Sequence, residues 1–271
     1  MQDVLTHPAF QAGLAPLLVA LLVAELLQRA RLSGLALIAG FAATVYLASD
    51  FDYEPLTATR KLVWLGIAAA ALAIPLSFTK RDLVRLLLVF AAADATVWMG
   101  WNILKQKEVT ELLLWGGGGA VLVGWLTFWM DRLSDSPVRA GSAGLALGLG
   151  SGGAALFGAS ALLGQFGLAL GAASAGFLLL VATTNTKLPA GRTLTLPLAM
   201  LAGMVAWMAA LSAQLTWYAL PVLALIPLAA NIPVSDKVSL WLQSLLLSAA
   251  TLTCAAGAVY LSWHTAGAPP W

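Results

Sequence analysis

The sequence predicts an all-α polytopic membrane protein, a bundle of about ten transmembrane helices. Three observations predict it. Of 271 residues, 61% are hydrophobic and only 10% are charged, where a soluble domain carries roughly 25% charged residues. Mean hydropathy is +0.89. Apolar runs of spanning length recur along the chain, and no polar stretch between them is long enough to form a separate soluble domain. The lipid bilayer is therefore the predicted surrounding of nearly the whole polypeptide. The net charge of +2 is spread between apolar runs and gives no basic surface for nucleic acid.

A crossing needs about 20 apolar residues. Candidate spans fall at 9–28, 33–49, 60–79, 83–104, 109–130, 140–162, 166–184, 193–213, 216–233 and 238–263. The runs 140–184 and 193–233 are about twice the spanning length. They divide at Gly164-Gln165-Phe166-Gly167 and at Gln214-Leu215-Thr216-Trp217, where polar or turn-forming residues interrupt. The first segment, MQDVLTHPAF, lacks the basic start of a signal peptide, so the first run is expected to remain as a helix.

Basic residues set the expected orientation. After odd-numbered spans come Arg29, Arg31, Lys80, Arg81, Arg85, Arg132, Arg139, Lys187, Arg192 and Lys237; after even-numbered ones come only Arg60, Lys61, Lys105 and Lys107. Positive charge marks the cytoplasmic side. The expectation is a multi-pass protein of the cell inner membrane with both termini outside, periplasmic in a Gram-negative cell. Aromatic residues favour headgroup depth. Tyr46, Tyr53, Tyr218, Tyr260, Trp64, Trp98, Trp101, Trp115, Trp217, Trp263 and Trp271 form an outer belt, and Trp125, Trp129 and Trp241 a thinner inner one. Trp207 falls nearer the middle and reads as packing.

Residues 34–47 and 167–180 align at constant offset, with Gly34, Leu35, Ala36, Leu37, Ala39, Ala42 and Leu47 meeting identical residues. A loop with Pro and a basic residue follows each segment. The similarity suggests two halves, 1–135 and 136–271, of five spans each. Five is odd, so the halves would be inverted repeats, as in secondary transporters with a midplane site. About ten spans, short loops and a five-plus-five inversion resemble the drug/metabolite transporter superfamily in outline. No motif carries that likeness, and it assigns no residue.

Small residues at every fourth position let helices approach closely. Gly144, Gly148 and Gly152 have that spacing, as do Gly167 and Gly171, and Gly116–Gly119 with Ala120 and Gly124 is expected to serve the same purpose. No Lys-Ser/Thr follows the glycines, so a phosphate loop is absent. Pro221, Pro227 and Pro233 recur through the ninth span, with Asn231 between the last two. Proline removes a backbone donor and clashes with the preceding turn, so this span is expected to break, and the carbonyls it frees need other partners.

Asp94 is the sharpest candidate for chemistry. It stands near the centre of the fourth span, and no Lys or Arg occurs at comparable depth elsewhere. Ionisable residues at mid-membrane are costly and mark functional sites. Such a carboxylate could take up a proton or bind a cation and so couple transport. Thr96 follows it, and Asn102, eight residues on, can share its face. Asn231 and Gln243 are the candidates to complete a polar pocket. The bland reading of Asp94 is a protonated side chain bonded to a neighbouring helix.

Glu25 and Arg29 are spaced for an i,i+4 ion pair. His7 and His264 are the only histidines, both near the outer tails, and Cys254 is the only cysteine. No HExxH, Cys/His cluster or GxSxG setting occurs, so no metal, cofactor or enzymatic activity is expected. The outer group Asp50, Asp52, Glu54 and Arg60 reads as a solvated loop rather than a site acting on lipid. Two functions remain. One is a small secondary transporter or exporter of a small molecule, coupled through the midplane carboxylate. The other is a non-catalytic membrane subunit or assembly partner of a larger complex. Its partners would be membrane proteins or further copies of itself.

Overall fold

The computed structural model describes residues 7–49, 51, 54–79, 82–158, 160–184, 190–212, 215–235 and 237–266. The sequence-based readings of Asp50, Asp52, Tyr53, Lys80, Arg81, Lys187, Gln214 and Trp271 lie outside the described residues. Among the described residues, eight helices are long and apolar enough to cross a membrane: α1 (Phe10–Leu27), α3 (Ala58–Leu76), α4 (Asp82–Leu104), α5 (Val109–Arg132), α6 (Pro137–Phe157), α7 (Ala161–Thr184), α8 (Gly191–Ser212) and α10 (Leu240–Ala266). Two shorter apolar helices, α2 (Ser33–Ala48) and α9 (Ala219–Ala229), complete the set. The protein is thus an all-α polytopic membrane protein, and its helices follow the expected spans in order.

The helices alternate in direction. The Thr44 hydroxyl donates to the Gln11 carbonyl at 2.6 Å and the Gln11 amide to the Leu47 carbonyl at 2.9 Å, joining the start of α1 to the end of α2. Lys61 donates to the Trp98 carbonyl at 3.1 Å near the start of α3 and the end of α4. Arg85 meets Asp131 at the start of α4 and the end of α5. Arg139 donates to the Ala230 carbonyl at 2.9 Å, joining the start of α6 to the end of α9, while the Thr216 and Thr265 hydroxyls lie 3.0 Å apart at the other end of α9. Helix α9 is therefore stretched between the two ends of the bundle despite its length of about 16 Å at 1.5 Å per residue. The start of α1 and the end of α10 fall at one end of the bundle. Arg85, Arg132, Arg139 and Arg192 fall at the other, hereafter the basic end.

Helix α8 is the axis. Its whole apolar window is buried, against 28% for α4 and for α10 at the periphery. Association within lipid gains nothing from hiding large apolar side chains, so small residues form the contacts. The tightest contact joins α6 and α7. A Cβ on Gly148 would lie 2.0 Å from the Gly171 nitrogen, and one on Gly152 would lie 2.4 Å from the Leu168 nitrogen. This is the four-residue glycine ladder read from the sequence. The large aliphatic side chains turn outward instead: Leu26, Leu113, Leu114 and Leu72 are all exposed.

Three expectations are corrected. The break in the run 140–184 falls after Phe157, with α7 already helical from Ala161, not at 164–167. Gly164 and Gly167 are consumed in the α6 contact rather than in a turn, because a buried glycine between close helices costs less than its flexibility implies. In the glycine run of α5, a Cβ on Gly116 would meet Leu104 and one on Gly119 would meet Trp207, but one on Gly117 or Gly118 would meet nothing within 4 Å. Successive helical residues turn by about 100°, so four in a row sweep every side of the helix. Glu25 accepts from the Gln28 amide at 2.7 Å rather than pairing with Arg29.

The two sequence halves interlock, since α1 and α2 both lie along α7. Helix α6 also lies along α10, whereas the positions matching them in the first half, α1 and α5, share no comparable contact. The proline break in α9 occurs where expected. The helix is interrupted at Leu225, between Pro221 and Pro227. The Trp125 indole donates to the Ala224 carbonyl at 3.0 Å and Asn231 to the Pro227 carbonyl at 2.8 Å, so side chains take up carbonyls around the break.

Backbone contact between α6 and α7 leaves no room for side chains. Gly148→Val is expected to cost about 1–3 kcal/mol or more by overpacking, lowering the unfolding temperature in detergent, whereas Gly117→Ala is expected to leave it unchanged or slightly raised. Equal melting curves for the two variants would contradict this packing.

Candidate functional site

Helix α4 carries Asp94 at the middle of its length, on its outward face. The carboxylate is exposed, on the stripe that also presents Leu87, Phe90, Trp98, Trp101 and Asn102. It makes no hydrogen bond or ion pair to any described residue. Inserting an Asp at the centre of a spanning helix costs about 2.5–3.5 kcal/mol, and no described residue pairs with Asp94 to offset that cost.

The other sequence-predicted site residues lie elsewhere. Thr96 is buried on the opposite side of α4 and donates to the Ala92 carbonyl at 2.8 Å. Asn102 shares the outward stripe with Asp94, as its spacing implied. Asn231 and Gln243 sit at the basic end, their amides spent on local carbonyls: Asn231 on Pro227 at 2.8 Å, Gln243 on Val238 at 2.8 Å and Ser235 at 3.5 Å. The structure brings Asp94 and Asn102 to one face and does not gather the five into one pocket.

A lysine approaches the same stripe. Lys61 is buried, and its ammonium donates to the Trp98 carbonyl and lies 4.4 Å from the centre of the Trp98 ring. Trp98 is one turn beyond Asp94, toward the end away from the arginines. No ion pair joins Lys61 to Asp94.

At the basic end, a second acid has the opposite surroundings. Asp131, in the last turn of α5, is buried and held by two arginines. Arg192 Nε lies 2.6 Å from one carboxylate oxygen and Arg85 Nε 2.7 Å from the other. Arg192 also donates to the Leu76 carbonyl at 2.9 Å and to the Thr79 carbonyl. One guanidinium thus ties the start of α8 to the ends of α3 and α5, while Arg85 adds α4. Gly191, at φ +63°, makes the turn that places Arg192, and its amide donates to the Ser134 carbonyl at 3.0 Å. A pocket of about 170 Å³ lies over this cluster, lined in part by Asp82, Arg132 and Asp135.

Asp131 escaped the sequence reading, which used its neighbours only to count positive charge. A signal for it was present. A carboxylate in the last turn of a helix opposes the helix dipole, so Asp131 needs a cation, and the loops around it are rich in arginine.

A second cavity is apolar. A groove of about 620 Å³ runs between α5, α8 and α9, with Trp115, Trp125, Trp207 and Trp217 among its walls. Gly118 forms part of its floor. The Trp207 indole donates to the Trp115 carbonyl at 2.9 Å, and that of Trp125 is bound to Ala224, so these two rings spend their polar edges on backbone. Trp207 is fully buried, as its mid-span position suggested, and packs over Gly100 and Gly119.

The sequence matches no protein-family model, and comparison with curated proteins finds no match.

Removing one partner of a buried ion pair leaves an uncompensated charge, at a cost of about 3–5 kcal/mol. Asp131→Asn is expected to lose that much, seen as a lower unfolding temperature and aggregation in detergent. Arg132→Ala, whose side chain is exposed beside Phe128 and Trp129, is expected to lose about 1 kcal/mol or less. Thermal melts of the two purified variants compare them directly.

Proposed function

We propose that this chain is a non-catalytic integral subunit of a larger membrane assembly, resident in the cell inner membrane with both termini outside. The observation that carries the reading is the unpaired carboxylate of Asp94 on the outward face of α4, midway along a helix only 28% of whose apolar window is covered. A proton- or cation-coupling acid would be expected to face the interior of its own bundle or a water-filled cavity. Here the interior is closed by α8 and by glycine contacts, while the acid points toward whatever lies beside the protein. The orientation follows from the arginine-rich end, taken as cytoplasmic.

A second reading, a small secondary transporter or exporter of a small molecule, draws on one observation: the tryptophan-walled groove lies against α9, the helix broken by proline. Broken helices beside cavities are the usual setting of transport sites. The walls are apolar, so the solute would be lipophilic. In this reading the two sequence halves act as inverted repeats, and Asp94 supplies the coupling.

Purification from native membranes in a gentle detergent separates the two. Stoichiometric co-purifying membrane proteins are the expected result. A lone protein that transports a solute in liposomes, and loses coupling in Asp94→Asn while remaining folded, would replace the subunit reading with the transporter one.

A further inference from the structure

We propose that the outward face of α4 around Asp94 is the docking surface for a different membrane protein, one whose transmembrane helix presents a lysine or arginine at mid-bilayer. The inference rests on the subunit reading above and names the chemistry of the partner.

Charge complementarity selects the partner. A carboxylate with no water and no partner of its own is stabilised most by a cation brought against it in the low-dielectric interior. The same feature excludes a second copy of this chain. Among the described residues, Arg29, Arg31, Lys105, Lys107, Arg132 and Lys237 lie at or beyond helix ends, and Arg85 and Arg192 are committed to Asp131. Lys61 is buried and engaged on Trp98, one turn off. Arg60 and Arg139 stand in the first turns of α3 and α6, so none of the described Lys or Arg residues of a second copy sets a free cation opposite Asp94. Two facing copies would instead oppose carboxylate to carboxylate.

The surrounding stripe suits a helix. Leu87 and Phe90 stand toward the basic end from Asp94, and Trp98 and Trp101 toward the other. This puts apolar contact on both sides of one central charge. Asn102 adds a hydrogen-bonding group near the end of the stripe. A partner helix laid along it would pair its cation with Asp94 and exclude lipid around the pair.

The test places a photoreactive amino acid at Phe90, one turn from Asp94, in native membranes, and sequences the crosslinked peptide. The expected adduct is a different protein whose contacting span contains Lys or Arg near its centre. Asp94→Asn should cut the yield at least tenfold. Asp94→Lys combined with the partner's basic residue changed to Asp should restore it. Helical content and elution volume of each variant report on folding, so a lost adduct is read only from folded protein.

A captured partner with no central Lys or Arg, or an undiminished yield in Asp94→Asn, would overturn the cation proposal and leave the subunit reading intact. So would stoichiometric subunits recovered in gentle detergent with no protein adduct at Phe90. Adducts to lipid or to a second copy alone, with no co-purifying subunit, would overturn both. If Lys61→Met lowers the yield as far as Asp94→Asn does, the carboxylate belongs to a pair within this chain, and the proposal fails.

Discussion

A carboxylate removed from water needs a partner, and this bundle meets that constraint in opposite ways at two acids, Asp131 at the basic end and Asp94 at mid-helix. Asp131 is closed in by Arg192 and Arg85, and the same guanidinium of Arg192 satisfies the backbone carbonyls of Leu76 and Thr79. Arg192 joins three helix termini, those of α3, α5 and α8, and Arg85 adds a fourth, that of α4. The geometry of the basic end follows from these contacts. Asp94 has no such enclosure: it stands midway along α4 with no hydrogen bond or ion pair to any described residue.

The rest of the architecture follows from packing where lipid is the solvent. Large apolar side chains gain nothing by moving from lipid tails to protein, so Leu26, Leu72 and Leu114 face outward. Contact instead depends on how closely backbones can come together. The Gly148–Gly171 and Gly152–Gly167 approaches bring α6 and α7 together, and α8 is enclosed by its neighbours along its whole length. Several polar groups inside are spent on backbone carbonyls: Thr96 on Ala92, Thr251 on Leu247 and Ser142, Trp207 on Trp115; the buried Thr127 and Ser174 hydroxyls bond no described residue. This economy leaves a bundle whose axis, α8, is buried, with an apolar groove at its edge beside α9 and an exposed face along the α4 stripe.

Much of this was legible in the residues. The spans were readable because a helix must satisfy its own backbone in hydrocarbon, which makes apolar runs of about 20 residues a strong signal. The glycine ladder of α6 and the proline break of α9 were legible for a similar local reason. Gly164 and Gly167 were misread as a turn because glycine serves turns and close contacts alike, and only the neighbour decides. Glu25 was assigned to Arg29 on spacing, but Gln28, one position nearer, took the contact. Asp131 went unnoticed because its partners, Arg85 and Arg192, lie 46 and 61 residues away in the chain.

The sequence by itself determined that this is a multi-pass helical membrane protein with about ten segments, one arginine-rich end and a single acid at mid-depth. Those properties are summed along the chain, one residue or one helical turn at a time. Only the tertiary structure decided that Asp94 faces outward, that Asp131 is the acid enclosed by arginines, and that Trp207 and Gly119 border a groove beside α9. Which side of a helix meets protein depends on the rotation each helix adopts against its neighbours. In lipid that rotation is set by the fit of small residues across distant helices, and the hydrophobic pattern of any one segment does not encode it.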